Sequence, residues 1–246
     1  MSILEEFILK SNRINNIDEL FIEYRKTLEY FGFDKVVYSL ITDHYKAGLQ
    51  AGHAIMGNYP QDFLKHYMEK GYQKLDPVPK QAFKSVKPFA WKSISEEREL
   101  NKDELLVMNE ADDAKLLSGV GIPLYGANGE IAGVGIASSE RDLDLNIDIL
   151  SMLRAITHQF HLVYLDLCKR PNNDNKIALT NREREILLWY ASGKKDGDIA
   201  DIIGISYDSV RFHSKNIFKK LDVNDRVFAV VKAIRLGLIT PNYVFN

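Results

Sequence analysis

One break in composition constrains the fold of this chain more than any other feature. The segment KRPNNDNKIAL, Lys169–Leu179, interrupts an amphipathic pattern with clustered Pro, Asn and Asp residues, which is typical of a linker. The 246 residues leave room for two ordinary domains around it. We therefore predict a larger domain over 1–168, a linker over 169–179 and a small domain over 180–246.

The formal charge differs between the two sides of this break. Residues 178–239 hold 11 basic and 8 acidic side chains, whereas residues 1–177 hold 21 basic and 26 acidic ones. The overall charge of -2 therefore conceals a basic end and an acidic remainder. Such asymmetry indicates that the small domain binds nucleic acid.

Composition also excludes several classes of protein. No apolar run approaches the ~18 residues of a membrane span, and the first residues lack the basic flank of a signal peptide. A single cysteine, Cys168, excludes an internal disulfide framework. We expect a cytoplasmic protein without a membrane partner. We predict no metal site, no cofactor and no catalytic residue, because the histidine spacing and the motif content offer none.

Local signals in the small domain predict a helix-turn-helix. Thr180 and Glu183 form a capping box at the start of one helix. A short helix follows over Asp196–Ile203, and the turn at Gly204 leads into a third helix with an apolar stripe that includes Val210 and Ile217.

The opposite face of the third helix carries the candidate base-reading residues. Arg211 and Lys215 could reach base edges, and Phe212 lies beside them at helical spacing. Phosphate contacts are expected from Lys194, Lys195, Ser209, Lys219 and Lys220. An ordinary solvated charged face is the alternative.

A fourth helix, Asp225–Leu236, has more apolar residues than its small domain needs. Val227, Val230, Val231 and Ile234 either pack in the core or pair with a second copy of the chain.

The larger domain shows a mixed pattern. A helix over Ile17–Phe31, a strand over Lys35–Ile41 and a second strand around Ala51–Met56 precede further helices and a hairpin closed by Asn128 and Gly129. A final helix over 149–167 would cover the sheet or pair with a partner. The predicted class is α+β, an antiparallel sheet flanked by helices in an α-β-α sandwich, joined to an all-α four-helix domain.

The small domain closely resembles the DNA-binding domain of LuxR-type transcription regulators. The stretch LTNREREILLWYASGKKDGDIADIIGISYDSVRFHSKNIFKKLDVNDR carries the resemblance, with Glu183, Leu187 and Gly193 at characteristic positions. The resemblance implies a homodimer that binds a palindromic DNA site, with RNA polymerase as a candidate partner.

The segment Asn58–Trp91 resembles the pocket of acyl-homoserine-lactone receptors, the quorum-sensing branch of that family. The resemblance implies that Tyr59 binds the ligand's amide carbonyl and that Asp76 accepts from its amide N–H. It implies a pocket wall made by Tyr67, Tyr72, Val78, Trp91, Met108, Ala111, Leu116, Gly119, Gly121 and Gly135.

One position departs from the receptor pattern. Phe63 stands where most such receptors carry a tryptophan whose indole N–H binds the lactone carbonyl. Either another donor replaces that group, or the signal is not a lactone.

Several alternatives remain beside this interpretation. Phe63 and Tyr67 also fit plain core positions, and Asp76 followed by Pro77 fits a helix N-cap. The domain could instead be a ligand-independent regulator with a filled pocket, or an enzyme fused to a DNA-binding domain. We predict a regulator that binds an acyl-homoserine lactone or a related small molecule.

Overall fold

The structure is a computed structural model that describes residues 1–44, 47–126, 128–140, 143–168 and 177–240. It divides into two compact units, one holding the elements up to Cys168 and the other those from Asn181 onward. Most of the predicted linker, residues 169–176, lies outside the described residues. The exact domain bounds therefore stay a prediction.

A five-stranded antiparallel sheet organises the first unit. Its strands are β1 Lys35–Leu40, β2 Gly52–Gly57, β3 Phe89–Ala90, β4 Ser118–Tyr125 and β5 Ile131–Ser138. Their order is β2-β1-β5-β4-β3. The predicted hairpin is β4 and β5, and Gly129 adopts φ +75° in its turn, a conformation that favours glycine. The expected α+β class is confirmed.

Helices flank this sheet. They are α1 Ile3–Ser11, α2 Ile17–Glu29, α3 Gln61–Glu69, α4 Pro77–Ala82, α5 Trp91–Glu97, α6 Lys102–Asp113 and α7 Ile147–Cys168. Helix α1 was not predicted from the sequence, although Ser2 and Glu5 form a capping box at its start. A single 3-10 turn, Tyr72–Lys74, links α3 to α4.

One face of the sheet packs against α1, α2 and α7 in a continuous apolar core. Tyr24 of α2 stacks on Phe160 of α7 with ring centroids 4.3 Å apart, and its hydroxyl bonds Thr157 at 2.8 Å. Tyr38 of β1 packs edge-on to the same Phe160 and bonds His161 Nδ1 at 2.7 Å. The predicted last helix therefore covers the sheet, as one of its two interpretations required.

The second unit is all helical. Its helices are α8 Asn181–Ala191, α9 Asp196–Ile203, α10 Tyr207–Leu221 and α11 Arg226–Arg235. The capping box is present, with Thr180 N–H donating to Glu183 at 2.7 Å and Glu183 N–H donating to the Thr180 hydroxyl at 3.2 Å. Gly204 adopts φ +67° between α9 and α10, so the predicted helix-turn-helix is confirmed. None of the described helices is both long and apolar enough to cross a bilayer.

Candidate ligand cavity and nucleic-acid interface

The second face of the sheet encloses a cavity of about 120 Å³ beneath α3, α4, α5 and α6. Strand alternation creates the two faces, because successive side chains point to opposite sides. Val36, Tyr38 and Leu40 enter the apolar core, whereas Val37 and Ser39 line the cavity.

The structure brings together the predicted polar and aromatic pocket residues. Tyr59, Phe63, Tyr67, Asp76 and Trp91 all line the cavity. The α3 helix places Phe63 and Tyr67 one turn apart with ring centroids 5.9 Å apart. Phe63 offers no hydrogen-bond donor, so this part of the wall is apolar.

Asp76 is both a helix cap and a cavity residue. Its Oδ1 accepts from the Val78 N–H at 2.8 Å, which caps α4, and its Oδ2 accepts from the Tyr67 hydroxyl at 2.9 Å. Burial raises the pKa of Asp76 to about 6, against the lowering effect of these two hydrogen bonds. The N-cap interpretation is confirmed, and the ligand-binding one stays a prediction that is compatible with it, since each carboxylate oxygen keeps a further lone pair.

Two other polar atoms of the wall have no partner within the described part of the chain. The hydroxyl of Tyr59 and the indole Nε1 of Trp91 are both buried without a hydrogen bond. Burial, with the nearby Asp76 charge, holds the pKa of Tyr59 well above its usual value, so this hydroxyl remains a donor. An unpaired buried polar group costs about 1–3 kcal/mol. Protein cores rarely keep such groups unless they have another use.

Small and apolar residues complete the predicted wall. Val78, Met108, Ala111, Leu116, Gly121 and Gly135 line the cavity. A Cβ at Gly135 would lie 3.0 Å from the Tyr59 hydroxyl, so glycine keeps space beside that donor. Gly119 lies behind the wall, where a Cβ would approach the Trp91 ring to 2.2 Å.

Tyr72, like Gly119, is an exception among the predicted pocket residues. It does not line the cavity, because its hydroxyl donates to Glu110 at 3.0 Å and its ring packs edge-on against Tyr67. It supports the wall from behind. Conversely, Ser39 and His53 line the cavity although neither was predicted from the sequence.

The outer face of α10 presents the predicted base-reading residues to solvent. Arg211, Phe212, Lys215 and Lys219 are exposed, and Phe212 has 61% of its surface accessible. The Arg211 guanidinium lies 6.0 Å from the centre of the Tyr207 ring. Ser206 caps the start of this helix by accepting from the Ser209 N–H at 3.1 Å. The predicted residues therefore share one accessible surface on α10.

The predicted phosphate contacts divide into two groups. Lys194 and Lys195 are exposed just before α9, and Lys219 is exposed on α10. Lys220 instead donates to the buried Glu183 at 2.7 Å and to the Ala178 carbonyl at 2.9 Å. Its ammonium group is engaged in the fold, which favours a structural role over the predicted phosphate contact.

The apolar residues of α11 divide between the core, against which Val230 and Ile234 pack, and the surface, so pairing with a second copy stays a prediction. Ala229 and Ala233 form its buried side, whereas Val227, Phe228 and Val231 are exposed. These three exposed residues make an apolar surface that the core of the second unit does not use.

Comparisons with known proteins cover both units. Residues 16–164 match the family described as the autoinducer binding domain, and residues 178–233 match the bacterial regulatory proteins of the luxR family. The transcriptional activator AnoR of Acinetobacter nosocomialis is 31% identical across 92% of this chain and 94% of its own length. TraR of Rhizobium radiobacter, also a transcriptional activator, is 31% identical across 86% of this chain and 88% of its own.

Solved structures show the same fold. A crystal structure of Escherichia coli SdiA matches with a TM-score of 0.74 at 21% identity, over 96% of this chain and 98% of that one. SdiA in complex with octanoyl-rac-glycerol matches with a TM-score of 0.73 at 22% identity, over 98% of this chain and 96% of that one.

Proposed function

Because this chain belongs to the LuxR family of transcription regulators and carries an autoinducer-binding domain, we propose that its cavity binds a neutral amphiphilic signal through Tyr59 and Asp76. The family consists of regulators rather than enzymes. The observation that carries the proposal is the pair of buried, unpartnered donors on Tyr59 and Trp91 beside the Asp76 carboxylate. A ligand carbonyl would satisfy a donor, and a ligand N–H or O–H would satisfy the carboxylate.

Acyl-homoserine lactones are one class that fits these groups. Phe63 removes a donor from the wall, so a lactone-free amphiphile is equally compatible with the chemistry. Octanoyl-rac-glycerol, the molecule in the SdiA complex, provides a lactone-free probe. Ligand pockets commonly span roughly 300–1,000 Å³, so we expect the wall to widen when a chain-bearing ligand enters.

The second unit would bind DNA through α10. We propose that Arg211, Phe212 and Lys215 meet base edges, while Ser209, Lys219 and the Lys194–Lys195 pair contact phosphates. The exposed Val227, Phe228 and Val231 surface supports a homodimer on a palindromic operator. Recruitment of RNA polymerase and a cytoplasmic location are parts of the same proposal, since a transcription regulator acts where its operator is transcribed.

The decisive experiment is native mass spectrometry of the full chain purified from the organism that encodes it. We expect a bound small molecule that is lost on denaturation and restores thermal stability when it is added back. Asp76→Asn is the matched variant, because an asparagine oxygen can still cap α4 but cannot offer a carboxylate to the ligand. A chain that carries no molecule and is not stabilised by any acyl-homoserine lactone or by octanoyl-rac-glycerol would contradict the proposal.

A further inference from the structure

An irregularity in the edge strand β2 shapes one end of the cavity. Tyr38 pairs with Met56 and Leu40 pairs with Gly52, so three residues of β2 lie opposite Ser39 alone. Ala54, the middle of the three, adopts φ +48°, which is uncommon for a residue other than glycine. The Ser39 hydroxyl oxygen accepts from the Ala54 N–H at 2.9 Å. Bulges of this kind re-aim side chains and are frequent beside binding sites.

His53, within this bulge, contributes an imidazole to the cavity wall. Its ring lies parallel to Tyr67, with centroids 4.8 Å apart and planes inclined by 10°. Its Nδ1 lies 3.4 Å from the Ser39 hydroxyl oxygen. Burial lowers the pKa of His53, so the ring is neutral at pH 7 and presents one donor and one acceptor.

The strand register separates His53 and Ser39 from the polar groups already described. Val37 pairs with Gly135, and Ser39 pairs with Gly133. Tyr59 places its hydroxyl over Gly135, two residues along β5 from the level of Ser39. Two residues of an antiparallel strand span about 7 Å. The cavity thus has polar groups at two positions along β5. One position is marked by Gly135 and the other by Gly133.

We propose that His53 and Ser39 form a second polar subsite, which binds a hydroxyl or carbonyl group of the ligand about 7 Å from the group held by Tyr59 and Asp76. The inference rests on the proposed function and narrows its ligand class to neutral amphiphiles with two separated hydrogen-bonding groups. Phe63 and His53 then act together, because Phe63 on α3 offers no hydrogen-bonding group and His53 in the β2 bulge offers a polar ring instead. His53 becomes a residue that determines specificity.

The test compares two esters of similar length on the ligand-stripped full chain. Octanoyl-rac-glycerol carries two hydroxyl groups, and propyl octanoate carries none. We expect calorimetry to show about tenfold tighter binding of octanoyl-rac-glycerol, the value of one well-made buried hydrogen bond. His53→Leu should reduce this ratio several-fold while leaving the affinity for propyl octanoate nearly unchanged, and the preference that remains should come from a hydroxyl group bound by Asp76. His53→Gln, which keeps a donor and an acceptor, should retain most of the preference.

Three results would overturn the second subsite: equal affinities of the wild type for the two esters, failure of the wild type to bind either ester, or a preference in His53→Leu as large as that of the wild type. The proposed function is tested separately by the molecule that co-purifies with the chain. A co-purified signal together with equal ester affinities would leave the proposed function in place and remove only the role of His53.

Discussion

The unpartnered hydroxyl of Tyr59 leads to a prediction with an unusual sign. Tyr59→Phe removes a buried donor that has no partner in the folded chain. Because such a group costs about 1–3 kcal/mol, the variant should be more stable than the wild type by about 1 kcal/mol in the absence of ligand. The midpoint of thermal unfolding should rise by about 2–4 °C.

Tyr67→Phe is the matched control, since it deletes the same hydroxyl from a neighbouring ring of the same wall. The Tyr67 hydroxyl donates to Asp76 at 2.9 Å, and a hydrogen bond to a charged group contributes about 1.5–3 kcal/mol. This variant should therefore be less stable than the wild type. The two substitutions should differ by roughly 3 kcal/mol, although their chemistry is identical.

Urea denaturation of the ligand-stripped full chain, monitored by tryptophan fluorescence, measures the stability change caused by each of the two substitutions. Calorimetric titration with octanoyl-rac-glycerol supplies the second half of the test, in which Tyr59→Phe should bind about 2- to 10-fold more weakly. A loss of ligand-free stability in Tyr59→Phe equal to that in Tyr67→Phe would refute the reasoning, because the hydroxyl would then have a structural partner.

Three further predictions concern charge and shape. The pKa of the buried Asp76 carboxyl is about 6, so the stability of the ligand-free protein should fall as pH rises from about 4 through 6. The affinity for an acyl-homoserine lactone, which carries an N–H, should increase over the same range. Thermal-shift measurements should show that Asp76→Asn flattens the pH dependence of both the stability and the affinity. Gly119→Ala should lower the stability measured by urea denaturation by about 1–3 kcal/mol, because the added methyl group would overlap the indole ring of Trp91. Lys219→Ala should weaken DNA binding uniformly and reduce the salt slope by about one in a gel-shift series, whereas Lys220→Ala should destabilise the second unit through its partner Glu183 with little change in that slope.

Features that depend on residues close together in the sequence could be predicted from it. The Thr180 capping box, the Gly204 turn and the α10 stripe depend on spacings of three or four residues, and the structure contains them all. The polar residues of the pocket were accessible through resemblance to a family. Their composition alone also fitted an ordinary apolar core.

Features that depend on contacts between distant segments of the chain could not be predicted from the sequence. His53 lines the cavity beside a bulge that exists only in the register of β2 against β1. Lys220 resembles its neighbour Lys219 in sequence, and only the packing of α10 against the start of α8 brings it to Glu183. Tyr72 fitted the spacing of a pocket residue, but the 3-10 turn that carries it directs its hydroxyl to Glu110.

The two faces of the sheet have a consequence for the lifetime of the protein in the cell. The face against α1, α2 and α7 is filled by interlocking side chains, whereas the face beneath α3–α6 surrounds a cavity with unpaired donors. We therefore expect the α3–α6 side to open first and most often, exposing cleavable backbone to proteases. A ligand that binds only the closed form suppresses this opening in proportion to its concentration. The signal would then set how many copies of the regulator survive, in addition to how each copy behaves.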